Sequence, residues 1–154
     1  MIIVHERQTL DVDSPTAYAM EVSVEPGTVI WDYVHLSRCK IGPDSMIGTF
    51  VEIEAGVTIG PRGRIQSHTY IGANVTIGAD CFVAHGVVFV PGDSGNGAQA
   101  ARLADEVSIG SNATIFPVSL GRGSVVGAGS VVTDDVPARV VVAGNPAVII
   151  RRLA

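Results

Sequence analysis

The chain has 154 residues, 47% of them apolar and 16% charged, with eighteen glycines and eight prolines. That is the length of one domain, with too much apolar content for a disordered chain, and the glycines and prolines call for many tight turns between short strands. A net charge of −5 offers no basic stripe to meet nucleic acid, and no apolar run approaches the roughly 18 residues of a membrane span.

The opening MIIVHERQTLD meets a base and an acid too early for a secretory signal, so a soluble, cytoplasmic protein is expected. Residues 1–21 show no repeat and read as an N-terminal cap. From Val29 the hexads VIWDYV, HLSRCK, IGPDSM, IGTFVE, IEAGVT, IGPRGR, IQSHTY, IGANVT, IGADCF and VAHGVV run to Phe89, and only His35 opens one without Val or Ile. A period of six is neither the 3.6 of a helix nor plain strand alternation. It is the hexapeptide signature of a parallel β-helix, with the openers inside and glycine at the second place supplying turn conformations. Cys39 and Cys81 occupy the fifth place, where other hexads put small or β-branched residues. Both read as core filler, not as a disulfide or metal pair.

VPGDSGNGAQAAR, residues 90–102, has no period and reads as an external loop ejected from one corner. The hexads resume as LADEVS and IGSNAT, continue with IFPVS one residue short, and end with LGRGSV, VGAGSV and VTDDVP. The β-helix is therefore assigned to 22–137 and a C-terminal cap to 138–154. GNPAVIIRRLA predicts a short C-terminal helix, begun by its proline and favoured by arginines near its end.

The pattern resembles the left-handed β-helix of the hexapeptide acyltransferases, in which three hexads make one triangular coil of 18 residues. The expected fold is thus all-β, a left-handed parallel β-helix with one external loop and a short C-terminal helix. On that spacing the hexads opening at Val29, Ile47, Ile65 and Val83 share one face. Their outward third places are Trp31, Thr49, Ser67 and His85, and their fourth places are Asp32, Phe50, His68 and Gly86. His68 and His85 therefore fall on adjacent coils, displaced by one residue.

Three readings of that pair stay open. The imidazoles could simply hydrogen-bond across a subunit interface. They could hold zinc, as in the γ-class carbonic anhydrases that share the fold; three protein ligands are then wanted, and Val90 stands where one belongs. Or one is a general base and the other orients substrate, because imidazole titrates near neutral pH. His35, in an otherwise aliphatic place, reads as a hydrogen-bonded core histidine, with a role in the substrate pocket as the alternative. Trp31 reads as interface filler or as a platform for a nucleotide base.

The segments IWDYVH (30–35), RIQSHTYI (64–71), FVAHGVVF (82–89), SIGSNATIFPVSLG (108–121), VVGAGSVVTDDVP (125–137) and AGNPA (143–147) resemble the N-acetyltransferases of nucleotide-linked amino sugars. Within these they are most similar to the group acting on a 3-amino group of a UDP- or dTDP-linked sugar, which feeds O-antigen and S-layer glycans. The resemblance covers residues 22–150. It implies acetyl-CoA as acyl donor, no metal, and a homotrimer with active sites in grooves between neighbouring prisms. His85 is then the candidate base, with His68 orienting it or contacting the sugar diphosphate. Trp31, His35 and Ser67 fall on the substrate side, and Ser111 and Ala128 form a floor for the pantetheine arm. Arg151 and Arg152 would meet phosphates, and a backbone N–H of the VGAGS coil would bind the carbonyl oxygen. No cysteine or serine is placed beside a base as a nucleophile, so direct attack in a ternary complex is expected. One departure is Pro91, where that group usually has an asparagine thought to meet the sugar amine; proline has neither a side-chain donor nor an N–H. A non-catalytic β-helix scaffold is the remaining alternative, since a fold alone proves no activity.

Overall fold

The computed structural model describes residues 1–92 and 99–154. Residues 93–98, the middle of the expected external loop, lie outside the described residues. The rest is all-β, a three-sided parallel β-helix of about seven coils, consistent with left-handed winding. The first face stacks Val29–Ile30, Met46–Ile47, Arg64–Ile65, Phe82–Val83, Ser108–Ile109, Val125–Val126 and Val140–Gly144. The second stacks Val34–Ser37, Glu52–Ile53, Tyr70–Ile71, Val88–Phe89, Thr114–Ile115 and Val131–Val132, and the third Lys40–Ile41, Thr58–Ile59, Thr76–Ile77, Arg102–Leu103 and Ser119–Leu120.

Register explains the period. Ile47 pairs with Ile65 and Ile65 with Val83, eighteen residues apart each time. Every opener points into the prism: Ile47, Ile53, Ile65, Ile71 and Phe89 are fully buried. Each coil hides its aliphatics only against its neighbours, so stability is nearly a sum of coil and interface contributions. The short IFPVS step shows in the register too, because Ile109 pairs with Val126 and Ile115 with Val132, seventeen apart.

Four expectations are corrected. First, the openers of the first coil are Ile30 and Leu36, not Val29 and His35: Ile30 pairs with Ile47 and Leu36 with Ile53. A one-residue slip turns every side chain to the other wall, and burial decides it: Leu36 is fully buried and His35 exposed. Second, the second-place glycines do not supply positive φ. The left-handed conformation falls at the fourth place, on Tyr33, Phe50 and His68 among others. Gly48 is small for another reason: a Cβ there would lie 2.7 Å from the backbone nitrogen of Ser67 on the next coil. Third, Arg102 is not in the loop but in a strand, paired with Thr76. Fourth, the C-terminus is not a helix. Val140–Gly144 continues the parallel stack beside Val125–Val126, and Ala147–Arg152 folds back antiparallel onto it. Val148, Ile149 and Ile150 favour a strand, and the open edge of the last coil supplies its hydrogen bonds.

The other end is closed by a hairpin, Gln8–Ser14 against Ala17–Val24. Ala17–Val24 lies parallel over both Val34–Ser37 and Lys40–Ile41, so the cap's second strand already follows two walls of the prism. Ile2–Ile3 pairs antiparallel with Val29–Ile30 on the remaining wall.

Cys39 and Cys81 are buried in the prism as free thiols. Burial pushes the Cys39 thiol up to about 12 and raises that of Cys81 as well. A thiol reagent at neutral pH should therefore leave both unmodified in the folded protein and label both once it is denatured, as mass spectrometry would show. Labelling of the native protein would mean that the prism interior is open to solvent.

Candidate functional site

The corner between the first and second faces gathers the chemistry. From the register, its third places are Asp32, Thr49, Ser67, His85, Ser111 and Ala128, and its fourth places are Tyr33, Phe50, His68, Gly86, Asn112 and Gly129. Hydrogen bonds between coils fix these two columns. Each fourth-place N–H donates to the third-place carbonyl of the preceding coil: His68 to Thr49 at 3.1 Å, Gly86 to Ser67 at 3.0 Å, Asn112 to His85 at 2.9 Å and Gly129 to Ser111 at 2.8 Å. The N–H groups of His85, Ser111 and Ala128 make no hydrogen bond among the described residues. Three backbone donors are thus left along one edge of the corner.

His68 and His85 are both exposed at this corner, on adjacent coils. The Ser67 hydroxyl lies 2.8 Å from His85 Nδ1, so a serine does stand beside the candidate base, against the expectation; the contact fixes the ring and leaves Nε2 as its outward nitrogen. His68 stacks on Phe50 with ring centroids 4.9 Å apart, and Phe50 stacks on Tyr33 at 5.1 Å. Tyr33 enters this ladder because of the first-coil slip, which also puts Asp32 where Trp31 was expected. The Asp32 carboxylate accepts a hydrogen bond from the terminal amine of Met1. Trp31 sits one place earlier, level with Gly48, and is 44% exposed.

The other candidates divide. Ser111 and Ala128 share the column of His85, one and two coils on. His35 does not join them and is not a core histidine. It faces outward on the second wall, its ring 4.7 Å from that of Tyr18 and its Nδ1 3.7 Å from a Glu52 carboxylate oxygen. Arg151 and Arg152 pair with Val141 and Val140, at the edge of the first face opposite the histidines. Within one protomer they do not reach this corner. Asn112 was not singled out in the sequence; the long loop hides its register, but Ser111, already placed, is its immediate neighbour.

Among the described residues no three His, Cys, Asp or Glu side chains group closely enough to hold a metal ion. Two concavities among the described residues lie elsewhere. One of about 560 Å³ is lined by Leu103, Leu120, Val136 and Pro137 on the third face, and neither it nor its neighbour near Pro117 includes a histidine. No helix in the described residues is long and apolar enough to cross a membrane.

Two family models match the chain. The one described as "Hexapeptide repeat of succinyl-transferase" matches residues 68–88 and 105–134. The one described as "Bacterial transferase hexapeptide (six repeats)" matches residues 38–73. Between them they span more than half of the sequence. Among curated proteins, the bifunctional protein GlmU of Streptococcus thermophilus is 37% identical over 129 residues, 79% of this chain and 26% of that protein. GlmU of Anaplasma marginale is 29% identical over 150 residues, covering 86% of this chain and 35% of its own length. The chain thus spans about a third or less of these relatives. Among solved structures, a hexapeptide-repeat-containing acetyltransferase of Vibrio cholerae complexed with acetyl coenzyme A matches at 26% identity with a TM-score of 0.58, over 83% of this chain and 72% of that one. A hexapeptide transferase family protein of Anaplasma phagocytophilum shares the fold, with a TM-score of 0.74 at 20% identity over 88% and 82% of the two chains.

Proposed function

The chain belongs to the hexapeptide-repeat transferase family, and from that premise we propose that it moves an acetyl group from acetyl-CoA to the amine of a nucleotide-linked amino sugar in the cytoplasm. The observation that supports this best is the Ser67–His85 pair, an imidazole held at Nδ1 with Nε2 free beside a row of unpaired backbone donors. With Nδ1–H donating to the serine hydroxyl, the lone pair rests on Nε2, the state a general base needs. Ser67 then acts by positioning His85.

Acetyl-CoA is the donor bound in the Vibrio cholerae relative, and the corner suits such a donor. The free N–H groups of Ser111 and Ala128 stand on successive coils, about 4.8 Å apart, where they can donate to the amide carbonyls of a pantetheine arm. Ala128 adds no bulk. In the proposed reaction the corner holds the amine in line with the thioester carbonyl, an arrangement that can lower a barrier by several kcal/mol. His85 takes the amine proton as the C–N bond forms, in a ternary complex; with Nδ1–H donating to Ser67 the ring does not deprotonate that hydroxyl, so no acyl-enzyme is proposed.

The corner is convex in one protomer, so a second surface must close it. Ile3, Trp31, Tyr33, Phe50 and Phe82 are exposed apolar side chains on or beside it. Such a patch is suited to burial against another copy, and the proposed assembly is a homotrimer with closed threefold symmetry. Arg151 and Arg152 would then meet donor phosphates in a site shared with a neighbour. The test is release of free thiol from acetyl-CoA with a panel of UDP- and dTDP-linked amino sugars. Turnover with at least one is expected; none, together with no acetyl-CoA binding by calorimetry, would leave the chain a scaffold.

A further inference from the structure

The ring ladder of the candidate site stops at His68. The next fourth place is Gly86, with no side chain, and the one after it is Asn112. The gap between the His68 ring and Asn112 is therefore two coil spacings, about 10 Å in all, and His85 stands at its edge. A Cβ on Gly86 would lie 2.4 Å from Asn112 Oδ1, so the carboxamide folds back over the glycine next to His85 in the chain. Asn112 is exposed, and its amide makes no hydrogen bond among the described residues.

The same pose occurs at the other two corners. Asn74 leans over Gly56 and Asp44 over Gly27, with Oδ1 2.2 Å and 2.1 Å from the corresponding Cβ positions. The lean itself is thus a property of an Asx residue stacked on a corner glycine. What differs is the residue beside the glycine. It is Ala55 at one corner and Pro26 at the other; only at Gly86 is it an imidazole, His85.

We infer, resting on the acyl-transfer reading above, that Asn112 is a catalytic residue whose amide donates a hydrogen bond to the reacting carbonyl oxygen in the gap at Gly86. With Oδ1 against the glycine, Nδ2–H is the outward end. The amine nitrogen adds to the thioester carbon, and the C=O π electrons move onto oxygen, where the Asn112 N–H meets them. His85 Nε2 takes the amine proton. The electrons on oxygen then return, the C–S bond breaks, and the departing sulfur takes the proton from the imidazolium to leave free CoA thiol and the new amide. A donor aimed at charge that develops only in the transition state affects kcat, not binding.

The control is built into the fold. Asn112→Ala and Asn74→Ala remove equivalent corner amides, so they should lower the melting temperature alike. Only Asn112→Ala should lower kcat for thiol release, by about 10²–10³-fold with little change in donor KM. Asn112→Asp, which keeps the shape but lacks the N–H, should not restore it. A wild-type kcat in Asn112→Ala, or an equal fall in Asn74→Ala, overturns the assignment while leaving the acyltransferase reading intact. Absence of turnover in the unmodified protein with every donor and acceptor overturns both.

Discussion

Replacing Phe89 with alanine is expected to destabilise the protein by about 3–5 kcal/mol, the range for removing a buried aromatic side chain. Phe89 is fully buried and the largest such side chain in the prism. It stacks between Ile71 on one coil and Ile115 on the other. Its contacts come from adjacent coils whose backbones are locked by parallel pairing, so the walls have little freedom to collapse into the space left behind. At ~2–4 °C per kcal/mol for a chain of this size, the melting temperature should fall by roughly 10 °C or more at fixed protein concentration. Val88→Ala tests the same strand from outside. Val88 is 39% exposed, and its truncation should stay within about 0.5 kcal/mol. Equal shifts for the two variants, read by circular dichroism, would mean that Phe89 is not an interior residue.

The same inside–outside alternation decides what could be read without coordinates. The period of six gives the prism because every opener from Ile41 to Phe89 must be apolar to face inward. It fails by one residue in the first coil because Val29 and Ile30 are both aliphatic, and either can open a hexad. Only burial separates them, and with the wrong choice His35 becomes a core residue and Tyr33 drops out of the ring ladder. The C-terminal error has a different origin. A proline followed by VIIRR is locally compatible with a helix start, but the unpaired edge of the last coil offers a ladder of hydrogen bonds that a helix would leave unused. His68 and His85 could be brought together from spacing alone, since both lie in the unbroken stretch. Asn112 could not be joined to them so directly, because the excursion after Phe89 changes the offset from eighteen to twenty-six, as the pairing of Val83 with Ile109 shows. Spacing alone puts Ser67 on the substrate side and is silent on its contact with His85. That contact depends on which way two outward side chains turn, and no periodicity specifies it.

His85→Ala is expected to reduce kcat at least about 100-fold, the lower range for loss of a positioned general base. The amine of an amino sugar is a poor nucleophile while protonated, and a base at the corner both selects the neutral form and removes the proton as the bond to carbon forms. The backbone donors of Ser111 and Ala128 do not pass through the His85 side chain, so donor binding should survive the substitution. His68→Ala makes the contrasting case. Its ring is held in the ladder by Phe50, which suits a wall for the bound substrate, and KM should rise more than kcat falls. Ser67→Ala leaves the imidazole in place but frees Nδ1, so its effect should lie on kcat and be smaller than that of His85→Ala. Near-wild-type turnover in His85→Ala, with acetyl-CoA still bound, would remove the base from this corner. A larger loss of kcat in His68→Ala than in His85→Ala would exchange the roles of the two rings.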